Sequence, residues 1–186
     1  MKKQDNNFSF RYLHSFEDIE KWEESLKNKT ESFWLQRGKK MQLALFFDMA
    51  KRVPAYKKFL RTNNINLNSI RTQQDLARVP SIDKNNYLRA YALPELCWDG
   101  DLTSVHKIIS STSGSSGEPF FFPRTKTQDD QYALIAELYM RANFSIQHKR
   151  TLYINAFPLG VWIGGLFTFS AITRLAERGK YPLSII

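Results

Sequence analysis

Apolar residues recur at helical spacing through the first hundred residues of the chain. This spacing predicts helices over residues 16–27, 33–53, 56–62, 72–77 and 84–91. Pro54 is expected to end the longest of them, because a proline cannot continue the hydrogen-bond ladder of a helix. Residues 1–105 are therefore predicted to form a mostly helical N-terminal region.

From residue 106 onward, short apolar runs alternate with helical patterns. Val105–Ile109 and Phe120–Phe122 predict two strands joined by a loop, with Pro123 expected to bound the second strand. The rest predicts helices over 127–143 and 163–178 and strands over 152–154 and 181–186, with Leu134, Leu138 and Ala142 on one face of the first helix. The alternation predicts an α/β fold that occupies residues 106–186.

The loop between the first two predicted strands carries the clearest chemical signal. Residues 110–119 read Ser-Ser-Thr-Ser-Gly-Ser-Ser-Gly-Glu-Pro. Its hydroxyl groups, and two glycines that can adopt a positive φ, would present many weak donors to an anion. By composition alone, a flexible turn or linker is the other interpretation. The loop is not a Walker A site, because Gly117 is followed by Glu118 where that site requires a lysine.

In its order of residues, Thr112–Pro119 resembles the phosphate-binding signature Thr-Ser-Gly-Ser/Thr-Thr-Gly-x-Pro of adenylate-forming enzymes. It is most similar to the phenylacetate–coenzyme A ligase branch, which includes relatives in capsular polysaccharide biosynthesis. Stretches at 52–59, 75–84 and 155–165 resemble other segments of that branch in the same order, so the resemblance covers roughly residues 40 to 186.

The resemblance implies that a small-molecule carboxylic acid is activated with ATP as an acyl- or aryl-adenylate, with coenzyme A as the expected co-substrate. Magnesium would be bound through ATP, and no metal site of the protein itself is expected. The residues implied to hold the nucleotide phosphates are Thr112, Ser113, Gly114, Ser115, Ser116 and Gly117. The residues implied to contact the acid are Phe157, Leu159, Gly160 and Trp162.

The acid loop departs from the pattern of the branch. Pro158 stands where a glycine is usual and Leu159 where a tyrosine is usual, so the loop is stiffer and has lost a backbone donor. The resulting apolar wall favours an aryl or acyl tail over a sugar. The alternative is that Phe157, Leu159 and Trp162 belong to the core. The sequence does not identify the acid or the oligomeric state.

The acidic motif, hinge and C-terminal lysine of adenylate-forming enzymes have no counterpart in these 186 residues. The chain also ends within a run that resembles a buried strand. We therefore expect an N-terminal fragment, truncated at residue 186, whose catalytic residues lie in the missing C-terminal part. The fragment alone is expected to be inactive or severely impaired.

The net charge of +9 suits ATP and coenzyme A, and equally a nucleic acid or an anionic membrane. Most of the cations lie on predicted helix faces, and no nucleic-acid-binding motif is present, so no nucleic-acid partner is predicted. A non-catalytic basic module that binds a membrane surface is the alternative function.

Several charged residues flank the Ser/Gly loop. Lys107, Arg124 and Lys126 either supply the positive charge that the loop lacks or are solvated charges at strand ends. Asp129 and Asp130 begin a predicted helix, where carboxylates interact favourably with the helix dipole. We prefer this interpretation to a metal-binding pair.

Residues Thr151–Thr173 carry no charge and are numerous enough to cross a bilayer. Asn155, Pro158 and the Gly164–Gly165 pair interrupt them, which favours a strand, a loop and a buried helix, so no transmembrane span is predicted. Cys97 is the only cysteine, and the N-terminus has no secretory signal pattern, so the default prediction is a cytoplasmic protein.

Overall fold

The structure is a computed structural model of the 186-residue chain, and it describes residues 19–103, 107–114 and 117–186. The chain divides into two compact units. Of the described residues, 28–103 lie in the first unit, and 19–27 together with 107–186 lie in the second.

The five α-helices are α1 (Ile19–Asn28), α2 (Glu31–Arg52), α3 (Pro54–Thr62), α4 (Lys126–Phe144) and α5 (Ile163–Glu177). The four strands are β1 (Lys107–Ser111), β2 (Phe121–Thr125), β3 (Thr151–Tyr153) and β4 (Leu183–Ile185). Helix and strand therefore alternate after residue 106 in the predicted order, and the protein is of mixed α and β structure.

Helices α2 and α3 follow each other with a single residue between them. The Thr30 hydroxyl caps α2 by accepting a hydrogen bond of 3.2 Å from the backbone N–H of Phe33. Pro54 then occupies the first position of α3, where a missing N–H costs nothing. The predicted break before Pro54 is confirmed.

The other helical segments described in the first unit are short and are separated by irregular backbone. They are 3₁₀ helices at Leu67–Ser69, Gln74–Arg78, Leu93–Leu96 and Trp98–Gly100, and a π-helical turn at Lys84–Leu88.

The predicted helices over 72–77 and 84–91 are wrong in type and extent. The first begins with a cap, since the Asp75 carboxylate accepts the backbone N–H groups of Arg71 and Thr72 at 3.0 and 2.8 Å. Pro80 then favours extended backbone at Val79, whose ψ is 124°, so only a short 3₁₀ turn fits between the two.

The core of the first unit is aromatic. The rings of Phe46, Tyr56, Phe59 and Tyr87 lie with centroids 5.8 to 6.3 Å apart, spacings typical of favourable aromatic pairs. Tyr87 is only 5 % exposed. Its hydroxyl finds no hydrogen-bond partner among the described residues, and burial raises the pKa of Tyr87 to about 12.

We expect Tyr87→Phe to leave the free energy of unfolding unchanged or to raise it by about 1 kcal/mol, because it removes a buried hydroxyl whose lost hydration is uncompensated. Urea unfolding of the chain would measure this, with Tyr139→Phe on the exposed face of α4 as the control. A loss of stability greater than about 1 kcal/mol would show that the Tyr87 hydroxyl has a partner in solution.

The second unit contains two small sheets. Strands β1 and β2 pair antiparallel, with Lys107 opposite Thr125 and Ser111 opposite Phe121. Strands β3 and β4 pair parallel, with Thr151 opposite Leu183, and α5 forms the crossover that such a pair requires.

The prediction that Pro123 bounds the second strand is wrong, because β2 continues through it to Thr125. The N–H of Thr112 donates to the carbonyl of Phe120 at 3.0 Å. Counting along the ladder from this bond places Ile109 and Pro123 in a non-hydrogen-bonded pair, where a proline is tolerated.

The core of the second unit lies between α4 and α5. The predicted face of α4 is wrong at Ala142, which is exposed. Leu134 is buried as predicted, and the buried stripe also follows Ala133, Glu137 and Met140 at helical spacing. It therefore contains a carboxylate, which hydropathy alone would not place there.

The uncharged stretch 151–173 is divided among β3, a loop and α5, as predicted. Within the part of the chain that the structure describes, every helix is too short or too polar to cross a membrane.

Candidate functional site

The Ser/Gly loop connects β1 and β2 as a hairpin, and two hydrogen bonds between Thr112 and Phe120 close its base, which we call the neck. Besides the bond from the Thr112 N–H to the Phe120 carbonyl, the Phe120 N–H donates to the Thr112 hydroxyl oxygen at 3.0 Å. Thr112 therefore connects the two ends of the loop. This structural role differs from the role predicted for it, which was to lie beside the phosphates. The predicted connection of two strands by this loop is confirmed.

Two glycines shape the described part of the loop. Gly114 has a φ of +69° and Gly117 a φ of +123°, both in the left-handed range that favours glycine. The Gly117 N–H donates to the Gly114 carbonyl at 2.9 Å. A Cβ atom at Gly114 would lie 3.0 Å from the Gly117 carbonyl oxygen and 3.4 Å from Pro119 Cδ, so only glycine fits this turn without strain.

The remaining members of the predicted phosphate loop are placed only in part. Ser113 is exposed and Thr112 half-buried, while Gly117 and Glu118 lie on the surface. Ser115 and Ser116 lie outside the described residues. The binding roles of all of them stay predictions.

The loop over residues 154–162 meets the base of the Ser/Gly loop. The backbone N–H of Ser111 donates to the Val161 carbonyl at 2.7 Å, and Ser111 forms an isolated parallel bridge with Trp162. Trp162 also begins α5, since its carbonyl accepts the N–H of Leu166 at 3.0 Å. The structure thus brings together the two loops to which the sequence assigned chemistry.

The acid loop lies directly against the first turn of α5. A Cβ atom at Gly165 would overlap the Pro158 carbonyl, whereas one at Gly164 would meet nothing within 4 Å. The Asn155 amide also donates to the Gly165 carbonyl at 3.4 Å. Of the Gly164–Gly165 pair, only Gly165 must be a glycine for the loop to approach α5 this closely.

An apolar groove of about 550 Å³ lies between α4, β3 and α5. Of the four residues predicted to contact the acid, only Phe157 lines it. Phe157 is 57 % exposed and Trp162 43 %, and Leu159 is also exposed. These side chains therefore do not form part of the core, and the alternative that they do is wrong for this structure.

Of the two interpretations of Arg124, the solvated charge at a strand end is wrong, while the supply of positive charge to the loop stays a prediction. Arg124 is 4 % exposed, so it is not a solvated charge. Its Nε donates to the Asp129 carboxylate at 3.0 Å and its Nη1 to the Ser110 hydroxyl. The guanidinium carbon also lies 4.4 Å from the centroid of the Phe167 ring. The group is thus committed to neighbours within the protein.

The other flanking cations differ from Arg124. Lys126 is exposed, and its ammonium donates to the Asp130 carboxylate at 2.5 Å. The Lys107 side chain lies outside the described part of the chain. Neither observation distinguishes between the two interpretations of these lysines.

Asp129 and Asp130 do more than interact with the dipole of α4. Asp129 is 1 % exposed and accepts from Arg124, while Arg174 on α5 donates to Asp130 at 2.6 Å and lies 3.5 Å from Asp129. No group of three or more potential metal-binding side chains occurs among residues 19–103, 107–114 and 117–186. The two carboxylates therefore serve as partners for arginines of β2 and α5.

Sequence reasoning missed this cluster because its members are polar residues spread over four elements. The one available signal was a carboxylate in the first turn of a helix that directly follows an arginine-containing strand.

Comparison with known protein families and with curated proteins finds no match to this chain.

Proposed function

We propose that this chain belongs to an ATP-dependent carboxylate-activating ligase, to which it contributes the phosphate-binding loop and one wall of the acid site. The observation that carries the proposal is the hairpin loop over residues 111–121, whose neck is closed and whose two glycines are left-handed. A turn of this kind, rich in hydroxyl groups and shaped by glycines, suits the oxygens of a polyphosphate.

In the proposed reaction, a carboxylate oxygen of the acid attacks the α-phosphate of ATP, and the bond to pyrophosphate breaks. Pyrophosphate leaves with its magnesium, and the acid remains as a mixed anhydride with AMP. The thiolate of coenzyme A then attacks the acyl carbon and displaces AMP. Because the nucleophiles belong to the substrates, the protein mainly positions groups and stabilises charge.

The nucleotide would bind through Thr112–Gly117, with hydroxyl and backbone donors directed at the β- and γ-phosphates. The acid would bind along the loop that carries Phe157, Leu159, Gly160 and Trp162. Support for one common site comes from the 2.7 Å hydrogen bond between Ser111 and Val161, which connects the bases of the two loops. The order of β1, β2, α4, β3, α5 and β4 supports the proposed layered α/β nucleotide-binding domain over residues 106–186. Residues 19–27 of the proposed N-terminal region, 1–105, lie in the same compact unit as this domain.

Calorimetric titration of the chain with MgATP tests the proposal. We expect saturable binding that Gly114→Ala weakens about tenfold. The alanine favours another conformation of the free loop, and restoring φ +69° on binding costs on the order of 1–2 kcal/mol, where 1.4 kcal/mol is a factor of ten. Gly179 is a matched control, because it has a φ of +65° in the turn after α5, so Gly179→Ala imposes similar strain away from the loop.

Two results would contradict the proposal. One is that the wild-type chain does not bind MgATP. The other is that Gly114→Ala and Gly179→Ala bind it equally well, since the loop would then make no specific contribution.

A further inference from the structure

The strand that leads into the Ser/Gly loop is anchored from the side by one buried arginine. Arg124 lies on β2 opposite Ile108, and its guanidinium reaches diagonally to the hydroxyl of Ser110. Ser110 is itself fully buried and lies two residues before Thr112, which closes the loop. The arginine therefore acts on the last part of β1 before the loop begins.

The same guanidinium is fixed by two helices. Asp129, in the first turn of α4, accepts from its Nε, and the Phe167 ring of α5 covers the cation. Arg174 lies on the other side of Asp129 at 3.5 Å. Through these contacts one side chain fixes β1 relative to α4 and α5.

Stability alone does not require this arrangement. Replacing a buried ion pair with well-packed apolar side chains is often neutral or stabilising, whereas charged pairs can enforce one specific geometry. A planar guanidinium with several donors can bind a carboxylate and a hydroxyl at the same time, which a lysine ammonium does with much less directional control.

We propose that Arg124 is a positioning residue for the phosphate loop, a role that rests on the proposed function. It holds Ser110 so that the Thr112–Phe120 neck and the Ser111–Val161 hydrogen bond keep their register. Without it, the β1 end moves relative to α4 and α5, and the loop that follows Thr112 loses its alignment with the phosphates.

Affinity for MgATP, measured calorimetrically under conditions in which every variant is folded by circular dichroism, tests this role. We expect Arg124→Met to weaken binding about tenfold and Arg124→Lys to restore part of the loss. Ser110→Ala, which removes only the contacted hydroxyl, is expected to weaken binding about threefold and provides the test if Arg124→Met does not fold.

Arg178→Met is the matched control. It breaks another largely buried ion pair of the same unit, in which Arg178 donates to Glu137 at 2.8 Å, at the end of α5 opposite to the acid loop. We expect it to lower stability and leave the affinity for MgATP unchanged. Equal affinities of Arg124→Met and wild type would overturn the inference, and so would an equal loss in Arg178→Met, which would indicate general destabilisation.

Hydrogen exchange separates this inference from the proposed function, because it needs no nucleotide. We expect Arg124→Met, but not Arg178→Met, to raise the exchange rates of the Ser111 and Thr112 amides at least tenfold. If the wild-type chain fails to bind MgATP, the proposed function fails, and unchanged exchange in Arg124→Met would separately overturn the positioning role.

Discussion

Glu137→Leu is expected to lower the free energy of unfolding of the second unit by about 3–5 kcal/mol, the range found when one partner of a buried ion pair is removed. Glu137 is fully buried in α4. It accepts a hydrogen bond from the Tyr181 hydroxyl and one of 2.8 Å from Arg178. The leucine would leave the Arg178 cation partly buried without its carboxylate.

The surroundings of Tyr181 make this cost larger than that of one lost contact. Burial and the hydrogen bond to Glu137 raise the pKa of Tyr181 to about 12. Arg141 donates to the same hydroxyl at 3.1 Å and to Glu23 of α1 at 2.6 Å. Loss of Glu137 therefore disturbs a network that connects α1, α4 and the segment before β4.

Chemical denaturation of the chain measures the effect, with Glu177→Leu on the exposed part of α5 as the control. A triple variant, Glu137→Leu with Arg178→Met and Tyr181→Phe, should regain most of the loss, because the carboxylate and the two groups that donate to it are then all apolar. If Glu137→Leu costs less than about 1 kcal/mol, Glu137 is hydrated in solution and the network does not stabilise the unit.

The order of elements in the second unit could be predicted because it depends on local pattern. A strand such as β3 or β4 is a short apolar run between turn residues, and α4 and α5 show helical spacing over four or more turns. The hairpin loop could also be predicted from the sequence, because Gly114 and Gly117 lie at positions where the turn requires a left-handed backbone.

The buried charges could not be predicted, because their partners are distant in sequence. Arg124 reaches back 14 residues to Ser110, and Glu137 reaches forward 41 and 44 residues to Arg178 and Tyr181. A hydropathy pattern assigns such residues to the surface. The short helices of the first unit were mispredicted for a different reason. A segment such as Gln74–Arg78, with Pro80 two residues beyond it, forms too few backbone hydrogen bonds to sustain an α-helix.

The two loops of the candidate site could be predicted from the sequence, whereas the residues that hold them in place could not. The sequence predicted both loops, and the structure connects their bases through Ser111 and Val161. The groove beside Phe157 arises from faces of α4, β3 and α5 that no single segment reveals. Their juxtaposition depends on tertiary packing.

The two adjacent glycines at the start of α5 should respond to alanine with opposite signs. Gly164 has open space around it, so Gly164→Ala is expected to raise the free energy of unfolding by about 0.5–1 kcal/mol through the higher helix propensity of alanine. Gly165→Ala has the same favourable effect on helix propensity, but the added Cβ atom would overlap the Pro158 carbonyl. Overpacking of this kind costs about 1–3 kcal/mol, so the net effect should be a loss.

The Gly165 effect also bears on the acid loop. Backbone on both sides of the contact is held, since Asn155 donates to the Gly165 carbonyl and Val161 accepts from Ser111. An added methyl group must therefore displace the segment that carries Phe157 and Leu159. Urea unfolding of both variants, with amide chemical shifts of residues 155–162 as a second measurement, tests this directly. Equal stabilisation by the two alanines, with unchanged shifts, would show that Pro158 does not pack on α5 in solution.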